Sequence, residues 1–156
     1  MNQRIARALT MTAGLAVMAG LFEVPVSTHH SFAMYDQTKT VTWTGVLTRF
    51  VSQANHAEIH FVPLGPDGKP LRGPDGKPIT WGVEMAGAAA IAQQGITVAA
   101  FQAGTIFSVH LNPMRDGSNF GSRIGALAKC PKGKAPEAGK SCDSVEGSEL
   151  LGGTAF

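Results

Sequence analysis

Cysteine is nearly absent: Cys130 and Cys142 are the only two in the chain. No Cys-x-x-Cys, no His-Glu-x-x-His and no histidine beside either cysteine occurs. The pair therefore lacks the four-ligand set of a structural zinc site, and the helical metalloprotease motif is missing as well. In an oxidising compartment two isolated cysteines are most simply a disulfide closing a short loop. Excess charge of either sign is also lacking. The formal net charge is +2, and removing residues 1–28, which hold Arg4, Arg7 and Glu23, lowers it to +1. That is too near neutral to indicate nucleic acid or an anionic membrane surface as a partner. A long hydrophobic run is the third absence. Residues 8–22 are uncharged and largely apolar, but fall short of the roughly 20 residues a spanning helix needs.

What that run does fit is an export signal. Arg4 and Arg7 give a positive start, the apolar stretch follows, and Glu23 to Thr28 read as a cleavage region. No cysteine lies near it, which argues against a lipoprotein. Cleavage after Thr28, with Val26 at the third position back, would begin the mature chain at His29-His30-Ser31-Phe32. Cleavage after Ala19, with Val17 behind it, is a competing site by the small-residue rule. The expected location is periplasmic or secreted, with no stable membrane insertion once the signal is removed.

The remainder alternates in the manner of strands. Residues 40–50 carry Val41, Trp43, Val46 and Phe50 and predict a long first strand, with Gly45 marking a bend or bulge. In residues 56–64, Ile59 and Phe61 alternate with His56, Glu58 and His60, so the polar three share a face. Residues 79–85 predict a third strand with Trp81, Val83 and Met85 on one side. Residues 86–94 predict a short helix stopped by Gly95, and Thr97 a cap for a further turn through Phe101. Residues 105–111 predict a fourth strand, with Phe107, Val109 and Leu111 opposite Ile106, Ser108 and His110. Residues 120–128 predict the fifth.

Three strands, a helix and two strands within about 90 residues predict a mainly β fold, a small five-stranded OB-like barrel with its helix between the third and fourth strands. The expected organisation is a signal over 1–28, the barrel over 29–128, and a loosely ordered tail over 129–156 pinned by Cys130–Cys142. Between the second and third strands Gly65-Pro66-Asp67-Gly68-Lys69-Pro70 recurs as Gly73-Pro74-Asp75-Gly76-Lys77-Pro78. Each copy contains a Pro-Asp-Gly turn signal. The repeat reads either as a recognition loop or as a solvated hairpin tip that tolerated duplication.

Several of these residues together resemble DUF6152, a family of small exported bacterial proteins of unknown function. The resemblance rests on His29-His30-Ser31-Phe32 with Tyr35-Asp36, on Val41 and Gly45, and on His56. It continues through Trp81-x-Val83-Glu84, Gly95 and Asn112-Pro113-Met114-Arg115-Asp116-Gly117, spanning residues 29–128. Where family members carry Trp-x-Asn-Pro-His, this chain has Ser52-Gln53-Ala54-Asn55-His56. The repeated Pro-Asp-Gly loop and the two-cysteine tail are additions to the family pattern. The resemblance implies export and a compact β fold and brings no established activity.

The sharpest chemical reading concerns metal. If His29 is terminal, its amine and imidazole form a two-point nitrogen chelate suited to Cu(II). His30, His56 and His60 are further nitrogen candidates, and Asp36, Glu58 and Glu84 are oxygen candidates. The plain reading of the same residues is a polar arm and solvated strand histidines. The alternative function is a metal-free module binding a small ligand or an envelope protein across the second and third strands, where OB barrels take ligands. His56, His60, Trp81 and the long hairpin fall there. Catalysis has less support. Ser31 beside His30 has no third group to orient it, nothing in the sequence fixes the distance between Asp36 and Glu84, and the position of Glu84 suggests a carboxylate facing solvent or the helix start. Trp43 and Trp81 read as barrel packing.

Overall fold

The computed structural model describes residues 32–153, so the predicted signal over 1–28 lies outside the described residues. Six strands form: β1 (Val41–Val51), β2 (His56–Pro63), β3 (Trp81–Ala86), β4 (Ile106–Pro113), β5 (Phe120–Lys129) and β6 (Glu149–Leu151). One helix, α1 (Ala88–Gln93), lies between β3 and β4. The sheet runs β3-β2-β1-β4-β5-β6, and β3 closes on β5 in parallel. The first five strands are thus a closed, OB-like barrel. Among the described residues no helix is long and apolar enough to cross a membrane.

Closure depends on the length of β1, whose first half pairs with β4 and whose second half pairs with β2. The irregularity that lets β1 turn lies between Leu47 and Arg49, not at Gly45. Gly45 has a different duty. A Cβ there would run into the Phe61 ring and the Val62 carbonyl, so glycine is required by close approach. Gly45→Ala should cost about 1–3 kcal/mol through overpacking, read as a lower urea midpoint at unchanged slope. A midpoint within error of the parent would contradict this packing.

The inward faces follow the alternation. Leu47, Ile59, Phe61, Val83, Met85, Phe107, Val109, Leu111 and Leu127 fill the barrel. Ile91 of α1, with Ile96 and Phe101 from the β3–β4 connection, joins the same core. Gly95 takes a positive φ of 80° just past the helix, as a helix stop requires. Thr97 Oγ1 accepts from the Ala100 amide at 3.1 Å, the expected cap. Trp43 and Trp81 lean on each other at 5.3 Å between ring centroids and pack against the core.

Between β2 and β3 the two repeats fold as twin turns. The Gly65 amide donates to the Lys69 carbonyl, and the Gly73 amide to that of Lys77. Asp67 Oδ1 caps the Lys69 amide and Asp75 Oδ1 the Lys77 amide.

The stretch expected to be a loose tail is folded onto the barrel. Cys130 and Cys142 are bonded, as expected, and form a small buried cluster with Ala128. The Cys142 amide donates to Ser108 Oγ at 2.8 Å, and β6 pairs with β5 through Leu127–Leu151, Ala128–Leu150 and Lys129–Glu149. Its physical cause is the outward side of β4–β5, where Ile106, Ser108 and Ala128 are small or apolar and take a cover. A three-residue strand gives no periodic signal in the sequence.

Candidate functional site

The register sets the site. His56, Glu58 and His60 face outward on β2, since the alternating Ala57, Ile59 and Phe61 are fully buried. Glu58 lies directly opposite Glu84 on β3, an arrangement of like charges that costs stability unless each carboxylate has its own partner. Each does. Glu84 Oε2 accepts from the Tyr35 hydroxyl at 3.0 Å, and Glu84 Oε1 lies 3.2 Å from His56 Nδ1. Glu58 Oε2 lies 3.0 Å from His60 Nε2, which is also 3.1 Å from Arg49 Nη2. His60 Nε2 donates to Glu58 in one tautomer and accepts from Arg49 in the other. Beside them, the ring of Phe120 lies against Gly82, where a Cβ would collide with it. Glu84 therefore does not face open solvent or the helix start, as its position suggested. It joins the N-terminal segment to the second strand.

Tyr35 reaches Glu84 because the segment before β1 is clasped to the β4–β5 turn. The Asp36 amide donates to the Pro113 carbonyl, and the Arg115 amide to that of Met34. Arg115 Nε donates to the Ala33 carbonyl at 2.9 Å, and Asn112 Nδ2 to that of Lys39 at 2.7 Å. Asn112, Pro113 and Arg115 thus hold the chain that carries Tyr35. Tyr35 itself is 2% exposed. Burial, then the hydrogen bond to Glu84 and the charges of Glu84 and Glu58, push its phenol well above the usual tyrosine range.

Tyr35 is the only tyrosine, so its ionisation is directly readable at 295 nm. At a pH of about 10, where an ordinary tyrosine is half ionised, the folded protein should show almost no phenolate. The folded value lies above the unfolded one. Its stabilising share is therefore fully present below a pH of about 10 and is lost as pH rises toward the folded value. Glu84→Gln should lower the midpoint, and half-ionisation near 10 in the parent would contradict the contact.

The proposed ligand set does not assemble as one centre among the described residues. His29 and His30 lie outside them. His56 and His60 stand four residues apart on one strand, a span of roughly 13 Å, and each engages a different glutamate. That separation is too great for both rings to ligate one ion. Asp36 belongs to another network, where hydrogen bonds from Thr38 and then Lys39 hold its carboxyl down to about 2. The possible Asp36–Glu84 acid–base pair is accordingly split between two networks. Among the described residues no group of three or more His, Cys, Asp or Glu side chains is placed to hold a metal ion. His110 pairs with Thr42, its Nδ1 lying 2.6 Å from Thr42 Oγ1.

Two members of the site escaped sequence reasoning. Arg49 comes in across the β1 irregularity, and Tyr35 arrives from 49 residues away. Tyr35 did carry a signal: Tyr35, His56 and Glu84 all belong to the pattern that resembles DUF6152, and here they make one hydrogen-bonded set.

Comparison with known proteins agrees with that pattern. No curated protein and no solved structure matches the chain. The model of the family of unknown function DUF6152 matches residues 18–123, from before the clasped segment into the start of β5. The chain belongs to the DUF6152 family.

Proposed function

We propose that this chain is exported and serves as a non-catalytic binding module of the cell envelope, taking its ligand on the outer face of β2 and β3. The observation that carries this reading is the polar set of His56, Glu58, His60 and Glu84 on that face, held by Arg49 of β1 and the buried Tyr35 beside it. It alternates acids with imidazoles and a guanidinium, so it suits a polar ligand with donors and acceptors of its own. OB barrels bind across the same strands. Export rests on the positive start and apolar run of residues 1–28.

The test uses protein secreted through its own leader, with the mature terminus fixed by intact mass. Isotope-labelled protein is titrated with a digest of cell-wall glycopeptides while backbone amide shifts are followed. Saturable shifts centred on residues 56–60 and 81–86, removed by His56→Ala with His60→Ala, are expected. Shifts confined to other faces, or none, would overturn the reading.

A copper site is the second reading, and one observation favours it. His56 engages Glu84 through Nδ1, the carboxylate-oriented arrangement typical of a metal-ligating imidazole. With His56 and His60 too far apart, such a site would draw on His56 and a processed His29, with His30 adjacent. Cu(II) titration followed by EPR should show tight one-to-one binding that is lost when one methionine precedes His29 and weakened in His56→Ala. Equal binding by all three forms, or a terminus other than His29, would exclude that centre.

A further inference from the structure

A separate cleft of about 440 Å³ lies between β1, the first Pro-Asp-Gly turn and the loop closed by the disulfide. Its volume falls within the ~300–1,000 Å³ typical of small-molecule sites. Trp43, Leu64, Pro66, Leu71 and Pro136 give it a largely apolar lining. The only charged residues lining it are Glu137 and Lys140, which pair with each other at 2.8 Å. A charged ligand would have to break that pair or stand beside it uncompensated, whereas an uncharged one leaves it intact.

The walls are fixed from several directions. Cys130–Cys142 closes the loop at its base. Thr44 Oγ1, 2.6 Å from Ser108 Oγ, reaches the Lys140 carbonyl at 3.4 Å. Leu71 is held by its amide to the Pro63 carbonyl and accepts from the Ile79 amide. The repeated loop forms one wall, and the cysteine loop, which forms another, lies beyond the family-matched segment, which ends at residue 123.

We infer that this cleft is a binding site for a small, uncharged, largely apolar molecule, walled by the repeat loop and the disulfide loop together. It is independent of the outer face of β2–β3. Affinity comes from burying apolar ligand surface against Trp43, Leu64 and Leu71. Because the disulfide holds one wall, occupancy depends on the oxidised protein.

The probe is N-phenyl-1-naphthylamine, an uncharged apolar fluorophore, titrated into the oxidised full-length mature protein. Saturable binding of one equivalent is expected, with quenching of the tryptophan emission. Leu71→Arg, which puts a charge into the cleft, should weaken binding at least tenfold, whereas His56→Ala on the other face should leave it unchanged. Amide shifts on binding should map to residues 42–44, 64–71 and 136–141. That mapping stands even if a variant lacking the disulfide fails to fold. Unsaturable or multi-site uptake, affinity retained in Leu71→Arg, or shifts that map elsewhere would each overturn the inference. Loss of binding in His56→Ala would equally overturn the independence of the two sites.

Discussion

Phe107→Ala should lower the unfolding free energy by about 3–5 kcal/mol, the cost of removing a large aromatic from a packed core. Phe107 is fully buried and stands opposite Gly45 across the β1–β4 pairing. Its ring meets Phe61 edge-on at 5.2 Å and Phe101 at 6.0 Å. It therefore joins the strand that approaches Gly45 to the connection that contributes the rest of the core. Phe61 is already wedged against Gly45, so it is poorly placed to fill the gap. Urea unfolding should show the loss as a lower midpoint. A loss below about 1 kcal/mol, less than the usual range for such a truncation, would mean the barrel collapses around the site and that this core is less specific than its geometry indicates.

Replacing both cysteines by serine should cost about 3 kcal/mol, from the entropy of a chain no longer closed over a loop of this size. The effect should also be local. Cys130 and Cys142 lie under a cover that includes the Cys142–Ser108 hydrogen bond and the β5–β6 pairing. Hydrogen exchange in the double variant should quicken at β6 and at residues 127–129 before it changes in β1 or β2. Uniform acceleration across the barrel would contradict a disulfide that pins the C-terminal cover. Unchanged stability would contradict its role altogether.

Much of the barrel was legible because five strands have a buried and an open side, and alternation records which is which. Ile59 and Phe61 against His56, Glu58 and His60 is the clearest case. The helix was legible from an alanine run ended by Gly95. What could not be read were features created only by closure. Gly45 suggested a bulge because glycine in a strand usually marks one, yet its cause is the Phe61 ring arriving from the neighbouring strand. β6 escaped because three residues are too few to show a period and its partner is set by the disulfide. The site was half legible. The second-strand face follows from alternation, whereas the Tyr35–Glu84 contact exists only because Asn112, Pro113 and Arg115 clasp a distant segment. That His56 and His60 share a strand face was legible; that each engages a different glutamate was not.

Site-specific photo-crosslinking in living cells tests most directly whether the outer face of β2 and β3 is the working surface. A photoreactive phenylalanine would replace Arg49 or Ala86 on that face, and Val98 or Leu150, which are exposed elsewhere, as controls. The chain should gain a discrete adduct from Arg49 and Ala86 and none from Val98 or Leu150. Adducts from the control positions alone, or from no position, would contradict the claim.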